Sequence, residues 1–305
     1  MGRRFAELDC MNALFYPIKP RLAGFVSGIV AFVIMGSFGV LVRHVTAGGA
    51  VIASVRFGLG LLFLALYLLL TRQWQAIRVK LSGALLLSGI FLALCVFFYI
   101  QAIQRIPLAS AVLLLYFAPL AATALAYFVL REPISLLNGL WLWLAFLGSL
   151  LLLGVGTTAK GTLTSGHLAG LASALFYALF ILANRSISPD LTPAARAFYQ
   201  LLLGFLVMLP LAGHIDVVAL AADTYWLLAI GFLHGFLALF LMISALRHLR
   251  AFEYGTLSYF EPIVAALAGY LVYGEGLTAP QLVGGALIIG SGLMQILASA
   301  GNLPK

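Results

Sequence analysis

The chain has 305 residues, 64% hydrophobic and 9% charged, with seventeen Lys and Arg against nine Asp and Glu for a net charge of +8. Soluble domains run about a quarter charged and about half apolar, so a soluble enzyme, a nucleic-acid binder and a fibrous protein are excluded. The positive balance needs no polyanionic partner, because Lys and Arg collect in the cytoplasmic loops of membrane proteins.

In chain order, residues 1–21 carry Arg3 and Arg4 but no continuous apolar core or small-residue cleavage site, and read as a cytosolic tail rather than a cleaved signal. Ten apolar segments follow, at 22–42, 50–70, 84–104, 108–130, 135–155, 165–184, 194–213, 225–245, 254–273 and 281–299, and a short tail at 301–305 closes the chain. Each segment is about twenty residues, or ~30 Å of helix, one hydrocarbon thickness. Turn and charge signals at 44–49, 71–73, 131–133 and 188–190 separate them. Alternating ten-residue strands are absent, which excludes an outer-membrane barrel. Cys10 and Cys95 fall in no CxxC or Cys/His cluster, so no metal, cofactor or disulfide framework is expected. The fold class is an all-α membrane protein with ten transmembrane helices in the lipid bilayer.

Basic residues orient the spans. With the N-terminus inside, thirteen Lys and Arg face the cytosol, against Arg43, Arg105 and Lys160 outside, while Arg56 lies within a span. That bias places both termini in the cytosol, and an inner-membrane location is expected.

The chain also repeats itself. Residues 102–132 align with 245–275 without gaps, with nine identities that include Tyr116/Tyr259, Phe117/Phe260, Pro119/Pro262, Tyr127/Tyr270 and Glu132/Glu275. A shift of 142 pairs Gly28 with Gly170 and Arg43 with Arg185. Two five-helix units result, 22–157 and 163–300. Five is odd, so the second unit enters the membrane from the opposite side. Such inverted repeats build secondary transporters, whose substrate site lies near the midplane and opens to each side in turn. One chain already holds a pseudo-dimer, which leaves a passive channel assembled around an axis only as a distant alternative and is compatible with a monomer.

These features, and the fourth-helix run from Ala102 through Tyr116-Phe117-Ala118-Pro119 to Arg131-Glu132, resemble the EamA branch of the drug/metabolite transporter superfamily. The similarity covers about 280 residues and is greatest to its ten-helix exporters of amino acids and metabolites, aromatic amino-acid exporters among them. It implies a central cavity lined by helices 1, 3, 4, 6, 8 and 9, and a small-molecule substrate. It also implies that Tyr116, the tyrosine of a Tyr-x-x-Pro motif, lines that cavity. Where those exporters often carry a tryptophan before the proline, this chain has Ala118.

Candidate residues are the polar groups that interrupt the spans, since an ionisable side chain at helix centre costs ~2.5–3.5 kcal/mol on insertion scales. Glu261 lies eight residues past Glu253, ~12 Å deeper, directly before Pro262. It is either a cavity carboxylate for a proton or a substrate ammonium, or a structural acid. Glu253 reads as a helix-start cap. Arg56 can snorkel outward, pair with an acid or bind a substrate carboxylate. Tyr99, Tyr116, Tyr177 and Tyr259 are mid-helix phenols that need a partner, and are expected to line the substrate site with Glu261. Pro119 and Pro262 each remove a helical hydrogen bond and are expected to gate. A GxSxG serine and an HExxH zinc motif are both missing and the five histidines are scattered, which sets aside an intramembrane enzyme. The expected function is export of amino acids, apolar or aromatic ones favoured, by alternating access; other small metabolites or drugs are the alternative.

Overall fold

The computed structural model describes residues 20–42, 44–106, 108–153, 164–213, 221–274 and 278–301. The N-terminal tail with Cys10, Arg43, Lys160, Glu275 and Lys305 lie outside them. Among the described residues the chain is helical, without strands. The helices are α1a (Pro20–Gly36) and α1b (Phe38–Val42), α2 (Gly49–Leu70), α3 (Gly83–Ile103), α4a (Leu108–Leu115) and α4b (Ala118–Val129), and α5 (Leu136–Leu152). The second half holds α6 (Ser165–Ser186), α7 (Pro193–Met208), α8a (Thr224–Ala229), a π-helical turn at Ile230–Leu237, α8b (Ala238–His248), α9a (Ala251–Ser258), α9b (Phe260–Tyr273) and α10 (Ala279–Gly301). Nine spans among the described residues are at least 18 residues long and apolar enough to cross a membrane, and α5, with 17, is the short tenth. At 1.5 Å per residue α5 is ~25 Å long.

Side-chain caps set where several spans begin, as backbone N–H groups at a helix start need partners. Ser82 accepts from Leu85 N at 3.2 Å, Ser135 from Asn138 N at 3.2 Å and Thr192 from Ala195 N at 3.2 Å. The ninth span starts three residues earlier than the apolar pattern implies, at Ala251. The Glu253 carboxylate there accepts from Arg250 N at 2.7 Å and pairs with Arg21 at 3.1 Å. The cap reading of Glu253 matches this geometry.

Helix packing follows the repeat. Exchange of helix i with helix i+5 turns the contact of α1 with α8 into that of α6 with α3. It turns the contact of α2 with the π turn into that of α7 with α3, and that of α9 with α1 into that of α4 with α6. Helices α2 with α7 and α5 with α10 pack directly on their repeat mates. Small residues allow the closest crossings: a Cβ at Gly148 would stand 2.7 Å from the Gly284 carbonyl oxygen, the backbone-on-backbone approach common in bilayers.

Several contacts break the exchange, most of them made by α9a. Helix α9a packs along α4b, where a Cβ at Gly255 would meet Pro119 at 2.9 Å. The repeat mates of that pair, α4a and α9b, share no comparable packing among the described residues. Glu132 gathers three helices. Its carboxylate pairs with Arg185 of α6 at 2.7 Å and accepts from Ala251 N of α9a at 3.1 Å, while Arg185 donates to Leu246 O of α8b at 3.2 Å. These bonds tie α4b, α6, α8b and α9a together at the end that holds Glu132.

Candidate functional site

Three helix breaks shape the middle of the bundle. Helix α4 turns at Tyr116–Phe117 and α9 at Tyr259, each three residues or fewer before a proline that cannot donate to the preceding turn. Helix α1 breaks at Ser37, after Gly36, with Gly36 packed so closely on α9 that a Cβ there would stand 2.6 Å from the Glu261 carbonyl oxygen. Gly-Ser pairs are a known cause of such kinks.

Between the breaks lies an internal cavity. Arg56 of α2, Tyr99 of α3, Tyr177 of α6 and Glu261 of α9b are partly accessible although protein surrounds each of them. Tyr116 of α4 reaches its edge at 5% exposure. Glu261 of the second half lies within electrostatic reach of Arg56, Tyr99 and Tyr116 of the first half and of Tyr177. Among the described residues, neither Glu261 oxygen nor the hydroxyls of Tyr99 and Tyr116 bond a protein group, and none is shut off from the cavity. Tyr177 bonds the Tyr254 hydroxyl at 3.2 Å and stacks on Phe180 with ring centroids 6.1 Å apart. Polar groups left open in this way, in a bilayer, are ready for a polar ligand.

Tyr259 faces elsewhere. It is fully buried against Leu142, Phe146 and Ile288, and its hydroxyl donates to Tyr116 O at 2.9 Å. The two repeat-related rings meet at 5.7 Å, but only one of the pair reaches the cavity. Pro119 and Pro262 are both buried between helices, outside the cavity lining.

A cluster that the sequence reading left apart stands beside Glu261. His234, which had no partner visible in sequence, is fully buried in the π turn. Its Nε2 lies 2.9 Å from Ile34 O, the carbonyl freed by the α1 break, where Ser37 Oγ also donates at 2.7 Å. Arg56 Nε donates to His234 O at 3.3 Å, its Nη2 to Met35 Sδ at 3.7 Å, and its guanidinium carbon sits 5.2 Å from the Phe38 ring centre. The sequence signals were Gly36-Ser37 and a histidine within a span.

Two apolar grooves, of about 360 and 530 Å³, lie elsewhere, one between α5 and α10 beside Trp141 and Met294, the other among α2, α7 and α8 beside Gly58 and Phe205. Neither contains an ionisable residue. No cluster of three or more metal-ligating His, Cys, Asp or Glu occurs among the described residues.

Comparison with known proteins fits this architecture. The model of the EamA-like transporter family matches twice, at residues 22–154 and 164–297. The chain belongs to the EamA-like transporter family. It is 30% identical over 254 residues to the threonine/homoserine exporter RhtA of Escherichia coli, covering 80% of this chain and 81% of that one. It is 29% identical over 261 residues to an "Uncharacterized transporter" of Archaeoglobus fulgidus, covering 86% and 92%. A crystal structure 19% identical in sequence superposes with a TM-score of 0.79 over 92% of this chain and 99% of its own, which shows the shared fold. The EamA-like chain is a multi-pass membrane transporter for a small-molecule substrate, not an enzyme.

Proposed function

We propose that this EamA-like protein exports amino acids across the inner membrane by alternating access, with both termini in the cytosol. The halves 22–157 and 163–300 rock about the cavity between them, and the breaks at Pro119 and Pro262 serve as gates. Glu261 takes the substrate ammonium, and Tyr99, Tyr116 and Tyr177 receive its side chain; Tyr259 supports Tyr116 from behind. The observation that carries this reading is the carboxylate and two phenol hydroxyls left without protein partners, among the described residues, in the middle of the bundle. Those open hydroxyls suit a hydroxylated side chain, and the named activity of the threonine/homoserine exporter relative agrees. The rings would equally receive an apolar or aromatic side chain, so the test spans both.

Purified protein in liposomes, loaded with unlabelled amino acid, is assayed for counterflow of labelled threonine, homoserine, phenylalanine and tyrosine. At least one exchanges above empty liposomes, and Glu261→Gln lowers its exchange at least tenfold with unchanged folded yield. A salt-bridged or charge-assisted bond is worth about 1.5–3 kcal/mol, and 1.4 kcal/mol is tenfold. Exchange of none of the four, or wild-type rates in Glu261→Gln, would falsify the reading.

A further inference from the structure

A guanidinium carries five N–H donors in a planar fork. Arg56 uses few of them. Nε is taken by His234 O and Nη2 by the sulfur of Met35, a weak acceptor. Among the described residues Nη1 bonds no protein group and is not shut off from the cavity. Its nearest opposite charge, Glu261, is felt across the cavity but makes no ion pair with it within 4.0 Å. Two opposite charges in a low-dielectric space attract strongly, so packing must hold them apart.

That packing is on view. Helix α8 opens into a π turn at Ile230–Leu237, which presents the His234 carbonyl to Arg56. Gly235 lets the two helices meet, since a Cβ there would overlap the Arg56 carbonyl oxygen and stand 2.9 Å from Gly60 Cα. The Phe38 ring, itself 5.0 Å from the His234 ring, lies under the guanidinium. The fork is held from its Nε side and from one face, and its remaining edge is open.

We infer that Arg56 is the carboxylate anchor of the substrate site, so that the cavity recognises a zwitterion: the α-carboxylate at the Arg56 fork, the α-ammonium at Glu261. The inference deepens the export reading above and rests on it. An α-amino acid carries its two charges one carbon apart and can bridge a cation and an anion that do not touch each other. It also supplies the fork with the oxygens it otherwise lacks, since guanidinium and carboxylate match in bidentate geometry. Amino acids are thereby separated from simple amines and from carboxylic acids, each of which would leave one buried charge unpaired.

The test compares three forms of one side chain in the same counterflow assay on the full-length protein: L-threonine, L-threoninamide and 1-aminopropan-2-ol, with the phenylalanine series in parallel. In wild type, the amide and the amine compete at least tenfold more weakly than the amino acid. Arg56→Gln weakens the amino acid at least tenfold, down to the level of its amide, and leaves the amide unchanged. Arg56→Lys, which keeps the charge and loses the fork, falls between. Equal loss for amino acid and amide in Arg56→Gln assigns Arg56 to balancing Glu261 and overturns the anchor. If Arg56→Gln does not fold, the wild-type series decides, because an amide that competes as well as its amino acid excludes a carboxylate anchor. Absence of exchange for every amino acid in wild type overturns the export reading itself, a distinct result.

Discussion

At His234 the bonding is lopsided. The ring is fully buried, its Nε2 adds a third donor to Ile34 O beside Ser37 N at 3.1 Å and Ser37 Oγ at 2.7 Å, and its Nδ1 has no partner. Leucine of similar size removes one donor from a carbonyl that keeps two, and removes an unsatisfied acceptor with it. Since an unsatisfied buried group costs at least as much as a made hydrogen bond contributes, the loss of one offsets the loss of the other and His234→Leu is expected to lower stability by less than about 1 kcal/mol. Thermal unfolding in detergent checks this, and a loss of several kcal/mol would mean that the ring bears load these contacts do not explain. Arg196 also leaves one buried nitrogen, Nε, without a partner. Its Nη1 and Nη2 donate to Asn184 O and Ser188 O at 3.2 and 2.8 Å, so a residue counted from sequence as a cytosolic loop charge also closes the C-terminal turn of α6.

Helix elements here are defined by their interruptions. A proline removes one hydrogen bond and bends a helix, and the repeat places such bends at the same register in α4 and α9. The π turn in α8 has no proline, and its repeat counterpart α3 is regular. It depends instead on Gly235, whose missing Cβ faces only backbone, the Arg56 carbonyl and Gly60. Backbone cannot yield as a side chain tip can, and overpacking costs about 1–3 kcal/mol even where it can be absorbed. Gly235→Ala is therefore expected to lower stability by at least about 2 kcal/mol. Gly39→Ala, with nothing within 4 Å, is expected to leave the melting temperature unchanged or raise it slightly. Paired melting curves in one detergent make the comparison, and equal behaviour of the two variants would refute the packing role of the π turn.

For the whole molecule the telling feature is asymmetry in a symmetric plan. Contacts that pair off under exchange of the halves describe the scaffold, and those of α9a with α4b, α5 and α10, which do not, describe its departure from two-fold symmetry. With both termini in the cytosol, as proposed above, the end that holds Glu132 is the cytosolic one. Glu132 holds α4b, α6 and α9a together through Arg185 and Ala251 N. Its loss removes charge-assisted bonds worth about 1.5–3 kcal/mol in total, which shifts a two-state equilibrium roughly tenfold or more. Thr123 lies on the buried face of α4b and reports on that closure. In a Cys10→Ser/Cys95→Ser background, Thr123→Cys should react slowly with a membrane-impermeant thiol reagent from the cytosolic side, and about tenfold faster once Glu132→Gln is added. Unchanged labelling would show that Glu132 does not hold the cytosolic end shut.

Length, hydropathy and the internal repeat determined the membrane fold, ten helices and two halves, since a span must match the bilayer thickness and a repeat is linear in sequence. They also marked Glu261, because a carboxylate inside an apolar run is visible in one dimension. Which ring lines the cavity was decided only in three dimensions: Tyr116 reaches it and its repeat mate Tyr259 does not, although their sequence surroundings are nearly alike. In water a helix shows its inner face by alternating apolar and polar residues. In lipid both faces are apolar, as the exposed Leu62, Leu66 and Leu69 and the buried Leu64 and Leu68 of one helix show, so that signal is erased. The π turn adds a residue to one helical turn and rotates everything beyond it, so that His234, Ser37 and Arg56, distant in sequence, become neighbours only when the bundle packs.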